Sequence, residues 1–299
     1  MPSLQIVSSQ PFAGRSTVAV AVARGLAANG AKVRLARHGR GDAATEDALC
    51  FAESLFASAA AKPVTRMPSP ARGETLIVEL EGGAAPDSKL PCLIAVHGEP
   101  TNADEALAAA FGDRLVGSIA VAVNPSRIED VARLLTTGGL RPLALLPEDR
   151  VLAAPSVGEL GATLGARTLY QGENEREIVE DVLIGPIFAD PAQPLFRRFA
   201  AKAILAPFNK TDLHLAAIET NAACLVITGG REPSPYVIDR ASGEATTILL
   251  AEQDTPATVA ALAYAWSRTR FRGARKADAA YAHLEGRLDF TTLARKLEA

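Results

Sequence analysis

The chain predicts an α/β fold: a parallel-sheet, P-loop NTPase-like domain, then a smaller α/β domain and a helical tail. Three observations carry that expectation. Short, wholly apolar runs alternate with helix-like segments through the first half, and strands of a parallel sheet covered on both faces read this way rather than as polar–apolar alternation. A tight turn, Ser8–Thr17, joins the first apolar run to the first helix-like segment, as in a βαβ unit. The length of 299 residues suits two domains, at roughly 100–200 residues each.

In order, Leu4–Ser8 is the first strand, Ser16–Asn29 a helix closed by Gly30, and Lys32–Ala36 the second strand. Ala43–Ala61 reads as mostly helical, and Lys62–Arg72 as a loop with three prolines. Glu74–Leu80 is a strand stopped by Gly82-Gly83, and Leu93–Val96 another. A short helix over Asp104–Phe111, a strand over Val116–Val123, a helix from about Asn124 to Gly138 and a strand at Ala144–Leu146 complete this half. Pro147–Pro155, with two prolines and two acids, marks the boundary, so the first domain is expected to span 1–147. The second is expected over 155–268, with a helix at Val157–Leu164 and strands near 166–171, 182–184, 203–205, 225–228 and 246–250. Helices are expected at Asp212–Ala217 and Thr255–Trp266. The remainder, 269–299, reads as a separate helical tail.

Composition narrows the classes of function. Hydrophobic residues make up 48% and charged residues 22%, enough apolar material for sizeable cores. The net charge is −3 and basic residues are dispersed, so no nucleic-acid partner is expected. The most basic stretch, 268–276, reads as a solvated helix face or turn. Cys50, Cys92 and Cys224 are too widely spaced for a zinc site or a disulfide framework. The N-terminus lacks a basic segment followed by a long apolar one, and the apolar run Val18–Ala23 ends at Arg24. No membrane association is therefore expected, and a cytoplasmic location follows by elimination.

The chemistry-bearing stretch is SSQPFAGRST, Ser8–Thr17. A phosphate loop needs consecutive backbone N–H groups around anionic oxygens, with a helix N-terminus behind them. Gly14, Arg15, Ser16 and Thr17 are the expected phosphate or nucleotide ligands. The GxxxxGK[ST] pattern is broken twice: Ser9 stands at its first glycine and Arg15 at its lysine. A planar guanidinium does not replace an ammonium that follows the β- and γ-phosphates as a point charge. Nucleotide binding is expected to outlast efficient hydrolysis, and a tight turn that binds nothing is the plain alternative. ATP or another nucleotide with Mg²⁺ is the cofactor considered. Ser16, Glu79 and Asp47 are the candidate Mg²⁺ ligands, because they stand at the ends of central strands or on the helix that follows. His38 and His97 are too isolated for metal or acid–base roles.

These residues carry a resemblance. Ser9–Ser16, Arg37-His38 in place of Lys-Pro, Glu46-Asp47-Ala48, Ile77-Val78-Glu79, Asn124–Val131 and the junction Leu145–Ala166 resemble proteins that join a dethiobiotin-synthetase-like P-loop domain to a DRTGG domain. The same pair forms the N-terminal region of long bacterial phosphate acetyltransferases. Phe208–Asp212 resembles the segment that names the second domain, with Asn209-Lys210-Thr211 in place of Asp-Arg-Thr, and Ile227–Gly230 resembles its later ITGG. In related synthetases, a loop lysine and a second lysine ending strand two serve ATP chemistry. Arg15 and Arg37 stand there in this chain.

The resemblance implies a regulatory or scaffold protein. It would pair a degenerate nucleotide-binding domain with a ligand-sensing or oligomerising DRTGG module, and act as a homo-oligomer or on a protein partner. The loops 206–211 and 228–232 are its candidate anion pocket; strand termination by the glycines is the alternative. The second reading is an ATP-dependent ligase acting on a small carboxylate, in which Arg15, Arg37, Asp47 and Glu79 would be catalytic. A pure protein-interaction module that binds no nucleotide is the third.

Overall fold

The computed structural model describes all residues except 1, 55–58, 83–85, 88, 173–177, 186–188, 267–268 and 299. Gly83, Arg268 and the middle of the helix expected over 43–61 therefore lie outside the described residues. Two compact units are present: residues 1–152 with 271–299, and residues 153–270.

The first unit contains β1 (Ser3–Val7), α1 (Arg15–Ala28), β2 (Lys32–Arg37), α2 (Gly41–Ser54), β3 (Glu74–Glu79) and β4 (Cys92–His97). It continues with α3 (Asn102–Phe111), β5 (Leu115–Val123), α4 (Ile128–Thr137), β6 (Pro142–Pro147) and α5 (Arg150–Ala153). The six strands form one parallel sheet in the order β2-β3-β1-β4-β5-β6. Strands β1 and β4 are buried almost throughout, as two covered faces require. The chain leaves β1 toward β2 on one side and later reaches β4 on the other, so the carboxyl end of β1 is the switch point where open sheets bind ligands.

Helix α1 explains why the last residues of the chain belong here. Its sequence, RSTVAVAVARGLAA, is apolar on every side, and Val18–Ala23, Gly25 and Leu26 are all buried. A helix apolar all round needs cover on its outer face as well as on its sheet face. Helices α11 (Gly273–Leu284) and α12 (Phe290–Glu298) supply it, with Ala277, Ala280, Leu284, Phe290 and Leu293 in the same core. Fully burying a Leu or Phe contributes roughly 1.5–3 kcal/mol. The contact is close: a Cβ on Gly25 would lie 2.0 Å from the Phe290 ring. The segment read as a separate tail is thus a covering layer of the first unit. Helix α3 begins with a capping box, in which Thr101 and Asp104 satisfy each other's backbone N–H.

The helix expected to run to Ala61 does not reach it. Ala59 and Val64 instead form isolated parallel bridges to Leu35 and His38, along the outer side of β2. An edge strand offers unpaired N–H and C=O groups, and this segment occupies some of them: Ala60 N–H donates to Leu35 O and Val64 N–H to Arg37 O.

The second unit contains α6 (Val157–Leu164), β7 (Arg167–Tyr170), β8 (Asp181–Ile184), α7 (Ala189–Phe196), β9 (Lys202–Pro207) and α8 (Thr211–Glu219). Then come β10 (Cys224–Thr228), α9 (Pro235–Gly243), β11 (Thr247–Ala251) and α10 (Thr255–Leu262). Its sheet runs β7-β11-β10-β9-β8, parallel except for β7. Helix α9 was not expected, although Pro235 at its start is a helix-entry signal. Helix α10 stops at Leu262, four residues before the expected Trp266. Lys202 is buried, and its ammonium donates to the carbonyls of Phe199, Thr220 and Asn221, stabilising the carboxyl end of α8. Among the described residues, no helix is long and apolar enough to cross a membrane.

Candidate functional site

In the first unit the loops after β1, β2 and β3 meet at the carboxyl edge of the sheet. Gly14 caps α1 in the left-handed conformation, φ 78°, and a Cβ there would lie 2.4 Å from Val121 Cγ2. Both constraints require glycine. No side chain caps α1, and its first turn carries no acid. Among the described residues, the backbone N–H groups of Gly14, Arg15, Ser16 and Thr17 find no acceptor; the first amide of the helix to do so is that of Val18, which donates to Gly14 O. These four residues are half-buried. The helix therefore presents an uncapped positive end. Phe12, at the crest of the loop, is 55% exposed at φ 57°, an unfavourable conformation for a bulky residue.

The side chains behave differently from the amides. The Arg15 guanidinium turns inward, donating from Nη1 to Ser8 Oγ at 2.8 Å and lying against Gly82. Its Nε is 3.7 Å from Glu79 Oε1. Arg37 Nε donates to Asp47 Oδ2 at 3.0 Å and also lies 3.7 Å from Glu79 Oε1. Arg37 Nη1 donates to His38 O. Ser16 Oγ donates to Glu79 Oε1 at 3.1 Å. Arg15 at the start of α1, Arg37 at the end of β2, Asp47 on α2 and Glu79 at the end of β3 thus form one cluster of two guanidinium and two carboxyl groups.

Glu79 is 2% exposed. Burial pushes its carboxyl above the usual carboxylate range; Asp47 adds to this, while Arg37, Arg15 and the Ser16 hydroxyl oppose it. Burial likewise lowers the proton affinity of Arg15, with Glu79 opposing, and a guanidinium stays charged throughout. Two buried polar atoms of the cluster lack a hydrogen bond, Arg15 Nε and Glu79 Oε2.

Two contributors escaped sequence reasoning. Ser8 receives Arg15, and Ser9 Oγ donates to Asp104 Oδ1 at 2.6 Å. Ser9 stands where a phosphate loop has its first glycine, and this bond ties the loop to the start of α3. The TNAD capping-box spacing at Thr101–Asp104 was the available signal. His38 Nδ1 is buried without a partner, and His97 is exposed at the end of β4.

In the second unit, the loops after β9 and β10 and the β11–α10 loop also share the carboxyl edge of a parallel sheet. Their amides are committed. Gly229 N–H donates to Gln253 O at 2.8 Å, Gly230 N–H to Ala251 O at 3.0 Å, and Phe208 N–H to Thr228 O at 3.1 Å. The glycines are required by the packing: at φ 97° and 66°, their absent Cβ atoms would meet the Phe208 ring and Glu252 Oε2. Thr228 and Thr255 share a 2.7 Å hydroxyl bond, and Arg231 stacks 4.5 Å over Phe208. His214 is fully buried, its Nε2 3.0 Å from Pro207 O and its Nδ1 unpartnered. Burial holds it below its ordinary pKa, against the bond to Pro207.

Residues 159–265 match the family model of the DRTGG domain. The chain is also similar to the CBS and DRTGG domains of the regulatory region of a Clostridium perfringens pyrophosphatase, complexed with its activator diadenosine tetraphosphate. That similarity is 20% identity and TM-score 0.34, over 38% of this chain and 49% of that one. A second similarity is to the MinC:MinD cell division protein complex of Aquifex aeolicus, at 13% identity and TM-score 0.36, over 51% of this chain and 84% of that one.

Proposed function

We propose that the protein is a regulatory or scaffold protein whose first unit binds the phosphates of a nucleotide at the start of α1, with the DRTGG domain as its regulatory or oligomerising module. The first unit is read as a dethiobiotin-synthetase-like P-loop domain that has lost efficient hydrolysis. The observation behind this is the contrast within one loop. Four consecutive amides at the start of a 14-residue helix are unfilled, which is an anion-binding arrangement. The basic side chain that should follow the transferred phosphate is held on Glu79 and Ser8 instead. Binding through amides survives that arrangement; transition-state stabilisation by Arg15 does not. A ligand that favours one state of the loop shifts the protein's equilibrium by its difference in affinity between states, and no bond need be cleaved.

The ligase reading draws on one observation, the meeting of Arg15, Arg37, Asp47 and Glu79 at the switch point. It requires Arg15 to leave Glu79 and reach the nucleotide.

The test is calorimetry with ATP, ADP and GTP on the full chain, beside Thr17→Glu and Arg15→Ala. Thr17→Glu places a carboxylate in the first turn of α1, which favours the helix by about 0.3–1 kcal/mol but repels phosphate. Binding lost in Thr17→Glu, with no phosphate release by the wild type, is the expected result. Acceptor-dependent phosphate release abolished by Arg15→Ala would replace this reading with the ligase.

A further inference from the structure

We infer that the nucleotide is bound as its free polyanion, without Mg²⁺, because two guanidinium groups already serve the carboxylates that a metal ion would need. The inference rests on the phosphate-binding reading above and specifies the form of its ligand.

Mg²⁺ takes near-octahedral oxygen ligands at about 2.0–2.1 Å, keeps several waters among them, and draws the rest from one or two carboxylates and the substrate phosphates. The carboxylates of Asp47 and Glu79, which would supply those one or two ligands, each face a guanidinium, while the Ser16 hydroxyl donates to Glu79 and keeps its lone pairs. Asp47 Oδ2 accepts from Arg37 Nε at 3.0 Å. Glu79 Oε1 accepts from Ser16 Oγ at 3.1 Å and lies 3.7 Å from the Nε of both Arg15 and Arg37. Glu79 Oε2 is buried and unpartnered, and a metal ion reaching it would lie beside the guanidinium groups that face Oε1. Among the described residues, no group of three or more His, Cys, Asp or Glu is arranged to hold a metal.

Charge points the same way. Two carboxylates already face two cations, and the cluster is buried or half-buried. A divalent ion would enter beside two guanidinium groups where screening is weak. A lysine could yield by losing its proton; an arginine cannot. The residues present therefore do not fit Mg²⁺, and Arg15 and Arg37 together stand in place of the metal. Because the amide cradle favours negative charge, Mg²⁺ in solution competes with the protein for the polyanion.

Two measurements on the full chain test this. The first titrates Mn²⁺ alone and follows the free ion by electron paramagnetic resonance. The second titrates ATP by calorimetry in excess EDTA and then in excess Mg²⁺. The wild type should leave the Mn²⁺ signal intact and bind ATP at least as tightly in EDTA as in Mg²⁺. The double variant Arg15→Gln/Arg37→Gln, whose folding is checked by circular dichroism, should take up Mn²⁺; the wild-type results decide alone if it does not fold. Mn²⁺ uptake by the wild type, or ATP binding only with Mg²⁺, overturns the inference while leaving phosphate binding intact. A folded double variant that ignores Mn²⁺ overturns the role given to the guanidinium groups. No ATP heat in either buffer overturns the phosphate-binding reading itself, and this inference with it.

Discussion

The two units place similar loops at the carboxyl edge of a parallel sheet and use the backbone there in opposite ways. After β1, the amides of Gly14–Thr17 are left without acceptors while the neighbouring side chains are locked in an ion cluster. After β10, the amides of Gly229 and Gly230 are spent on the loop after β11 and on the last residue of β11, and Arg231 stacks over Phe208. Glycine in a strand-to-helix turn is therefore no sign of a ligand site by itself. What distinguishes the turns is whether their N–H groups are already used.

The largest effect should come from the side-chain half of that contrast. Arg37→Ala leaves Asp47 and the buried Glu79 with only Arg15 nearby, and removing one partner from a buried ion pair costs about 3–5 kcal/mol. A urea midpoint that barely moves would show that the cluster is solvated rather than locked. Gly25→Ala should cost the first unit about 1–3 kcal/mol by driving a methyl into Phe290. Combining it with Phe290→Leu should recover part of the loss, and additive costs would mean that α12 does not press on α1.

A smaller effect sharpens the other side. Gly229→Ala or Gly230→Ala forces a left-handed residue and should cost about 1–2 kcal/mol, yet leave nucleotide affinity unchanged. Lost affinity would return the glycine pair to the ligand site.

The smallest effect is a difference in pH response, read by hydrogen exchange in each unit. His214 in the second unit has a folded pKa below its unfolded value. Its contribution is full above about pH 6.5 and is lost as pH falls through the folded value. Glu79 in the first unit has a folded pKa above its unfolded value. Its contribution is full below the ordinary carboxylate range and is lost as pH rises through the folded value. Protection of β9–β11 should fall from pH 7 to pH 5, and His214→Gln should remove that slope. An unchanged slope would place the proton elsewhere.

Much of the architecture was legible because parallel strands buried on both faces are continuous apolar runs: ETLIVE and CLIAVH could be read directly. The covering role of the C-terminal helices was also written in the chain, in the all-round apolar α1, but it requires reading one helix as evidence for a layer far along the sequence. Position 15 could be read as a basic residue in a phosphate-loop context. The direction of its side chain could not, because Glu79, on a different strand 64 residues later, decides it. The fate of the Gly229 and Gly230 amides was equally hidden, since their acceptors are carbonyls at the end of β11 and just after it, more than 20 residues along the chain.

The account is tested most directly by following backbone amide resonances of the full chain as ATP is added. It predicts that Gly14, Arg15, Ser16 and Thr17 shift together and saturate, while Gly229 and Gly230 stay where they are. Shifts at the glycine pair alone, or at none of these six amides, would contradict it.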